Sequence, residues 1–270
     1  MKSINDNDII ISNKEEFIYY LKILNQIGFY DGKKYAYVYI LHTYFILPSI
    51  LMGTSFKNAL NAKRKEKTTL ENVIKNEESN EEEIKCAELL KLKINKDIRT
   101  IERDTYVVIK TKCIPKTVDE KILMFYWHLL GDIMRYCTDT FRIEDKKRIQ
   151  ERSLQAYSYS LKYANKMNLP PSNPRLLELL VSLTVLHKDM DTQINDPIEM
   201  AAQAFRDAIQ NMHLLESDEE CSKTIAILGI LRDNINKWCK ISKRKNVNAL
   251  FEIKGEYSNK YEDIVNIINT

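Results

Sequence analysis

Apolar residues recur at three- and four-residue intervals along nearly the whole chain, the period of helices buried along one face. Lys14 to Gly28 carries Phe17, Tyr20, Leu21, Leu24 and Ile27, a short amphipathic helix that stops at glycine. Tyr35 to Phe56 has no formal charge and is long enough for a membrane span. His42, several tyrosines and Pro48 argue instead for two buried helices parted at the proline. Ser55 to Glu77 is polar, with sparse helical positions at Leu60, Leu70, Val73 and Ile74. An acidic loop, Glu77 to Glu83, precedes a helix through Leu89, Leu90, Leu92, Ile94, Ile98 and Ile101. Tyr106 to Ile109 would suit a strand but has no hairpin partner, so it reads as the end of that helix, stopped before Pro115.

Phe125, Leu129, Ile133 and Tyr136 share one face of the next helix. Another runs from Glu144 to about Met167. Pro170-Pro-Ser-Asn-Pro174 is the clearest loop, with Ser172 or Asn173 placed to cap a helix reaching Met190. One more follows Asp196-Pro197, and the last long one spans Ser222 to about Lys240. The pattern predicts an all-α protein of nine antiparallel helices with no strand. Only six glycines and six prolines in 270 residues agree with long helices and few turns.

Composition narrows the class. With 44% hydrophobic and 29% charged residues, a sizeable core is expected. The net charge of +3 gives no argument for nucleic acid. Five scattered cysteines, without CxxC spacing or a histidine partner, read as reduced thiols in a cytoplasmic protein, and the start lacks an apolar signal run. Neither a metal site nor a cofactor is expected. No nucleophile–base pair is evident, so an enzyme is not expected either.

The candidate chemistry is cationic. His128 and Arg135 lie seven residues apart, on one helix face and about 10 Å along the axis. Lys57 and Arg64 repeat that spacing. Two such helices side by side would gather two guanidiniums and an ammonium, a set suited to phosphate. The alternative is that each is a solvated surface charge.

Beyond spacing, Ala204-Phe-Arg-Asp-Ala-Ile209 and Leu228-Gly-Ile-Leu-Arg-Asp-Asn-Ile-Asn-Lys-Trp238 are similar to the most diagnostic segment of the 14-3-3 protein family, which the carboxyl half resembles. Gly131-Asp132, Arg135-Tyr136, Asp145-Lys-Lys147 and Gln155-Ala-Tyr157 resemble its central helices in order and spacing. Lys57-Asn58 through Lys63-Arg64 resembles its third helix. The resemblance covers about residues 55–240 and implies a cup of nine helices around a concave groove. It makes residues 1–240 one helical domain and 241–270 an extension.

The resemblance further implies that Lys57, Arg64, Arg135 and Tyr136 bind phosphate. It places Asp233 and Asn234 against a bound peptide, and Val181, Ile227 and Ile230 on the groove's apolar wall. For those three, core packing is the reading without the resemblance. His128 stands where the family has lysine, and Ser182 where it has a second peptide-binding asparagine. Ala226 and Lys237 replace groove leucines. The implied function is a non-catalytic adaptor for phosphoserine or phosphothreonine peptides of client proteins. The alternative is a helical scaffold whose groove is self-occupied or no longer takes phosphopeptides. Were His128 to face the phosphate, binding would strengthen as pH falls through the imidazole's titration, near pH ~6.5.

The family's first-helix dimer charges fall at Phe29 and Gly32, so a homodimer is expected to have an altered or weakened interface. Their partner positions, Lys93 and Asp97, sit four apart and are expected to pair with each other. In the extension, Asn259-Lys-Tyr-Glu262 has capping-box spacing, predicting a helix near residues 260–269. Val247 to Tyr257 is placed to compete with clients in the groove, more strongly with Ser258 phosphorylated.

Overall fold

The computed structural model describes residues 49–190 and 194–252; side chains are described from residue 61 onward, Ile143 excepted. These residues form seven α-helices and no strand. The expected helices before residue 49, the positions Phe29 and Gly32, and the expected helix near 260–269 lie outside the described residues. Helix α1 spans Ser49–Lys75, α2 Glu81–Val108, α3 Glu120–Cys137 and α4 Ile143–Lys166. Helix α5 spans Pro174–Asp189, α6 Asn195–Gln210 and α7 Asp218–Ser242. Among the described residues no helix is long and apolar enough to cross a membrane.

The chain divides into two compact units. In the first, α1 and α2 form a hairpin, joined by residues 136–142. A capping box starts α2: the Asn80 side chain accepts from the Glu83 amide at 2.9 Å, and Glu83 accepts from the Asn80 amide at 3.0 Å. Lys91 of α2 pairs with Glu71 of α1 at 2.9 Å. Ala87, Ile94, Ile98 and Thr105 form the buried stripe of α2. After Val108 the backbone loosens into a π turn, Ile109–Cys113, and a 3-10 turn, Ile114–Lys116, so Tyr106–Ile109 is helical. Among the described residues no ion pair joins Lys93 to Asp97, against expectation. A cation preceding an anion by four residues is the weaker orientation on a helix, and Lys93 is solvated.

The second unit holds α3 up to Arg135 and α4 to α7. Asn173 caps α5, accepting from the amides of Arg175 and Leu176, with Pro174 in the first turn. Ser172 does not cap. It is buried, donates to the Asn211 carbonyl at 2.8 Å, and its own carbonyl accepts from Thr224 at 2.8 Å. Helix α7 begins a turn earlier than the apolar pattern predicts. Ser217 caps it by accepting from the Glu220 amide, and Asp218, Glu219 and Glu220 face the positive end of the helix dipole.

Two cores hold this unit. Leu177, Phe205, Ile209, Leu228, Leu231, Ile235 and Trp238 join α5, α6 and α7. Met124, Tyr157, Ala164, Leu179 and Leu186 join α3, α4 and α5. Past α7, Val247 to Phe251 pack onto the first of these. Leu250 is buried, Phe251 meets Phe205 edge to face at 5.2 Å, and Arg206 of α6 donates to the Leu250 carbonyl at 2.7 Å. The expectation that this stretch lies in a peptide groove is therefore corrected for Val247 to Phe251. Their apolar side chains are occupied by α6. Residues 253–257 lie outside the described residues.

Candidate functional site

In the first unit, Arg64 projects from α1 with its guanidinium 4.9 Å above the Tyr136 ring. Its Nη2 lies 3.9 Å from an Asp139 carboxylate that is itself 69% exposed. Lys67, three residues along α1, donates to the Asp139 backbone carbonyl at 3.5 Å. Stacking contributes about 0.5–1 kcal/mol at such a site, enough to orient the guanidinium without consuming its N–H groups. Among the described residues Arg64 makes no side-chain hydrogen bond. It is oriented, half-exposed and able to take an anion. The Lys57 side chain lies outside the described ones.

In the second unit, Arg135 belongs to a buried polar chain. Positions 128, 131, 132 and 135 share one face of α3. On α4, positions 153, 157 and 160 make the opposing face. Ser153 donates to the Gly131 carbonyl at 2.8 Å and Ser160 to the Met124 carbonyl at 2.8 Å, drawing the helices together. Tyr157 lies between these two tethers. A Cβ at position 131 would sit 2.3 Å from Tyr157 Cε1, so only glycine admits the ring there.

The Tyr157 hydroxyl donates to Asp132 Oδ1 at 2.8 Å and accepts from Arg135 Nε at 3.1 Å. Arg135 Nη2 and His128 Nε2 each stand 3.7 Å from that same carboxylate oxygen. His128 Nε2 is also 3.1 Å from Ser182 Oγ on α5. Burial, then the Asp132 charge, pushes the Tyr157 phenol well above its ordinary value, so it stays a neutral donor at physiological pH. The Asp132 side chain is 3% exposed, and those of His128 and Arg135 13% each. Such a network, anchored from three helices, fixes the direction of Arg135.

The remaining predicted residues divide. Ile227 is buried in the core, and Val181 packs half-buried against it. Ile230 is 51% exposed, and Ala226, Asp233 and Lys237 are exposed on α7 with it. Asp233 pairs with Arg232 at 3.0 Å, and Asn234 is half-buried. The structure thus joins Arg64 to Tyr136, and Arg135 to His128 and Ser182. Asp132, Tyr157 and Gly131 were not singled out as site residues. For Asp132 the spacing gives a signal, four residues after His128 and three before Arg135; for Tyr157 and Gly131 the sequence gives none. Among the described residues no group of His, Cys, Asp and Glu has the geometry of a metal site.

The described residues form an all-α fold with a stacked guanidinium at Arg64 and a networked one at Arg135. The 14-3-3 protein family model matches residues 49–239, and the chain belongs to that family. It is 26% identical to 14-3-3 protein zeta of Bombyx mori over 229 residues, covering 84% of this chain and 92% of that protein. It is 27% identical to 14-3-3-like protein GF14 iota of Arabidopsis thaliana over 232 residues, 83% of this chain and 85% of that one. Protein BMH1 of Saccharomyces cerevisiae is 27% identical over 191 residues, 70% and 71% of the two chains.

Proposed function

We propose that the protein is a non-catalytic adaptor that binds phosphoserine or phosphothreonine peptides of cytoplasmic client proteins. Arg64, Arg135 and Tyr136 contact the phosphate together with Lys57, and Asn234 and Asp233 contact the peptide beside it. The observation that carries this reading is Arg64, held in direction by Tyr136 yet without a side-chain hydrogen bond among the described residues. A guanidinium in that state gives paired N–H bonds to a phosphate at little cost in reorganisation. Family membership supports the adaptor role and association between copies. In this reading the exposed face of α7, with Ile230 beside Asn234, receives the peptide's apolar side chains. Ile227 serves the core.

A second reading, a helical scaffold that does not take phosphopeptides, is favoured by Ser182. Its hydroxyl is engaged by His128, not turned out to a ligand. Phosphopeptide binding by the unmodified protein separates the two, and Arg64→Ala tests the residue assigned to it. On the adaptor reading it weakens phosphopeptide binding by more than about 1.5 kcal/mol in calorimetry, the scale of a hydrogen bond between charged groups. Unchanged binding by this variant would contradict the assigned role of Arg64.

A further inference from the structure

Two of the residues that depart from the family pattern meet each other. His128 Nε2 and Ser182 Oγ are 3.1 Å apart, and the same imidazole nitrogen is 3.7 Å from the Asp132 oxygen shared by Tyr157 and Arg135. Among the described residues, Asp132 and Arg135 from α3, Tyr157 from α4 and Ser182 from α5 face His128. Tyr157 stays neutral in this range. Among these described groups, with histidine neutral, the charges are the Arg135 guanidinium and the Asp132 carboxylate.

We propose that His128 is a proton-sensitive positioning residue that sets, through Asp132, how strongly Arg135 holds an anion. When neutral, the imidazole accepts the Ser182 hydroxyl proton at Nε2 and carries its own proton on Nδ1. A second proton, taken from solvent, goes onto Nε2. That N–H then donates towards Ser182 Oγ and Asp132 Oδ1, and Ser182 turns from donor to acceptor. Asp132 is left balancing one more cation than before, and the cluster gains a positive charge. Less of the Arg135 charge is neutralised by Asp132, and the anion it binds is held more tightly. The effect differs from a direct contact between His128 and phosphate: it needs the carboxylate.

The proposal rests on the phosphopeptide reading, and the test separates the two. The affinity of one phosphoserine peptide is measured between pH 8 and pH 5.5 for the wild type, His128→Gln, His128→Lys and Asp132→Asn. Protonation of the phosphate itself affects all four alike and cancels on comparison. The wild type is expected to gain about fivefold or more in affinity relative to His128→Gln as pH falls. His128→Lys should follow the pH profile of His128→Gln at higher affinity, and Asp132→Asn should lose the excess while His128 is still present.

By reciprocity, saturating peptide raises the titration midpoint of His128, read from its ring protons by NMR. Identical profiles for the wild type and His128→Gln, or a full pH excess in Asp132→Asn, overturn the proposal. Should Asp132→Asn not fold, Ser182→Ala takes its place. Without a partner for Nε2 in either protonation state, its His128 midpoint must move, and an unmoved midpoint overturns the assignment. Failure of every variant to bind peptide would count against the adaptor reading alone. In that event the unliganded protein still decides. The Arg135 Nε–H resonance must shift in step with His128, and its indifference would overturn the relay.

Discussion

At the scale of single residues, the site depends on what a glycine leaves out. Gly131 and Gly229 both lie inside helices, yet a Cβ at 131 meets the Tyr157 ring while one at 229 meets nothing within 4 Å. Gly131→Ala is therefore expected to destabilise the protein by about 1–3 kcal/mol through overpacking. Gly229→Ala should be neutral or stabilising by up to about 1 kcal/mol through helix propensity. Urea unfolding midpoints of the two variants check the contrast, and equal effects would mean that Tyr157 moves aside freely. Residue types were legible in the sequence where chemistry and spacing coincide, as for Arg64 and Arg135. The roles of Gly131 and Tyr157 were not, because they arise only when α3 and α4 are brought into contact. Ile227, placed on the groove's apolar wall by resemblance and in the core by packing alone, is buried in the core, while Ile230, one turn on, is 51% exposed.

At the scale of elements, caps and cross-links explain both the agreements and the displaced boundaries. Asn80 and Asn173 bound their helices as side-chain acceptors. The start of α7 was missed because its first turn is acidic and lacks the apolar period by which the helix was recognised. Between α1 and α2, the hydrogen bond from Lys91, aided by the fields of Lys67 and Lys75, holds the Glu71 carboxyl below its ordinary range. A depressed carboxylate pKa stabilises the fold above the unfolded value, near pH ~4.3, and the gain is lost as pH falls through the folded one. Both side chains are about one-third exposed, so the pair is worth no more than about 1 kcal/mol. Lys91→Ala should cost that much or less at pH 7 and progressively less as pH falls below the unfolded carboxyl value, as read from unfolding midpoints. A cost that does not shrink with falling pH would assign the loss to packing of the lysine stem.

At the scale of the whole molecule, helical periodicity and scarce turn residues made the all-α class legible, and the family match over residues 49–239 agrees with it. The end of the chain was harder to read. Leu250 and Phe251 are apolar and sit beyond the family segment, so sequence pattern alone did not say which surface they would cover; Phe205 and Arg206 do so. The central claim is that this molecule recognises phosphate on a peptide. The most direct measurement is a calorimetric titration with a phosphoserine peptide and its unphosphorylated twin at pH 7.5. The account predicts binding of the phosphorylated peptide at least about tenfold tighter, the ratio that about 1.4 kcal/mol of phosphate contact produces. Equal affinity for the two peptides, or no binding of either, would contradict it.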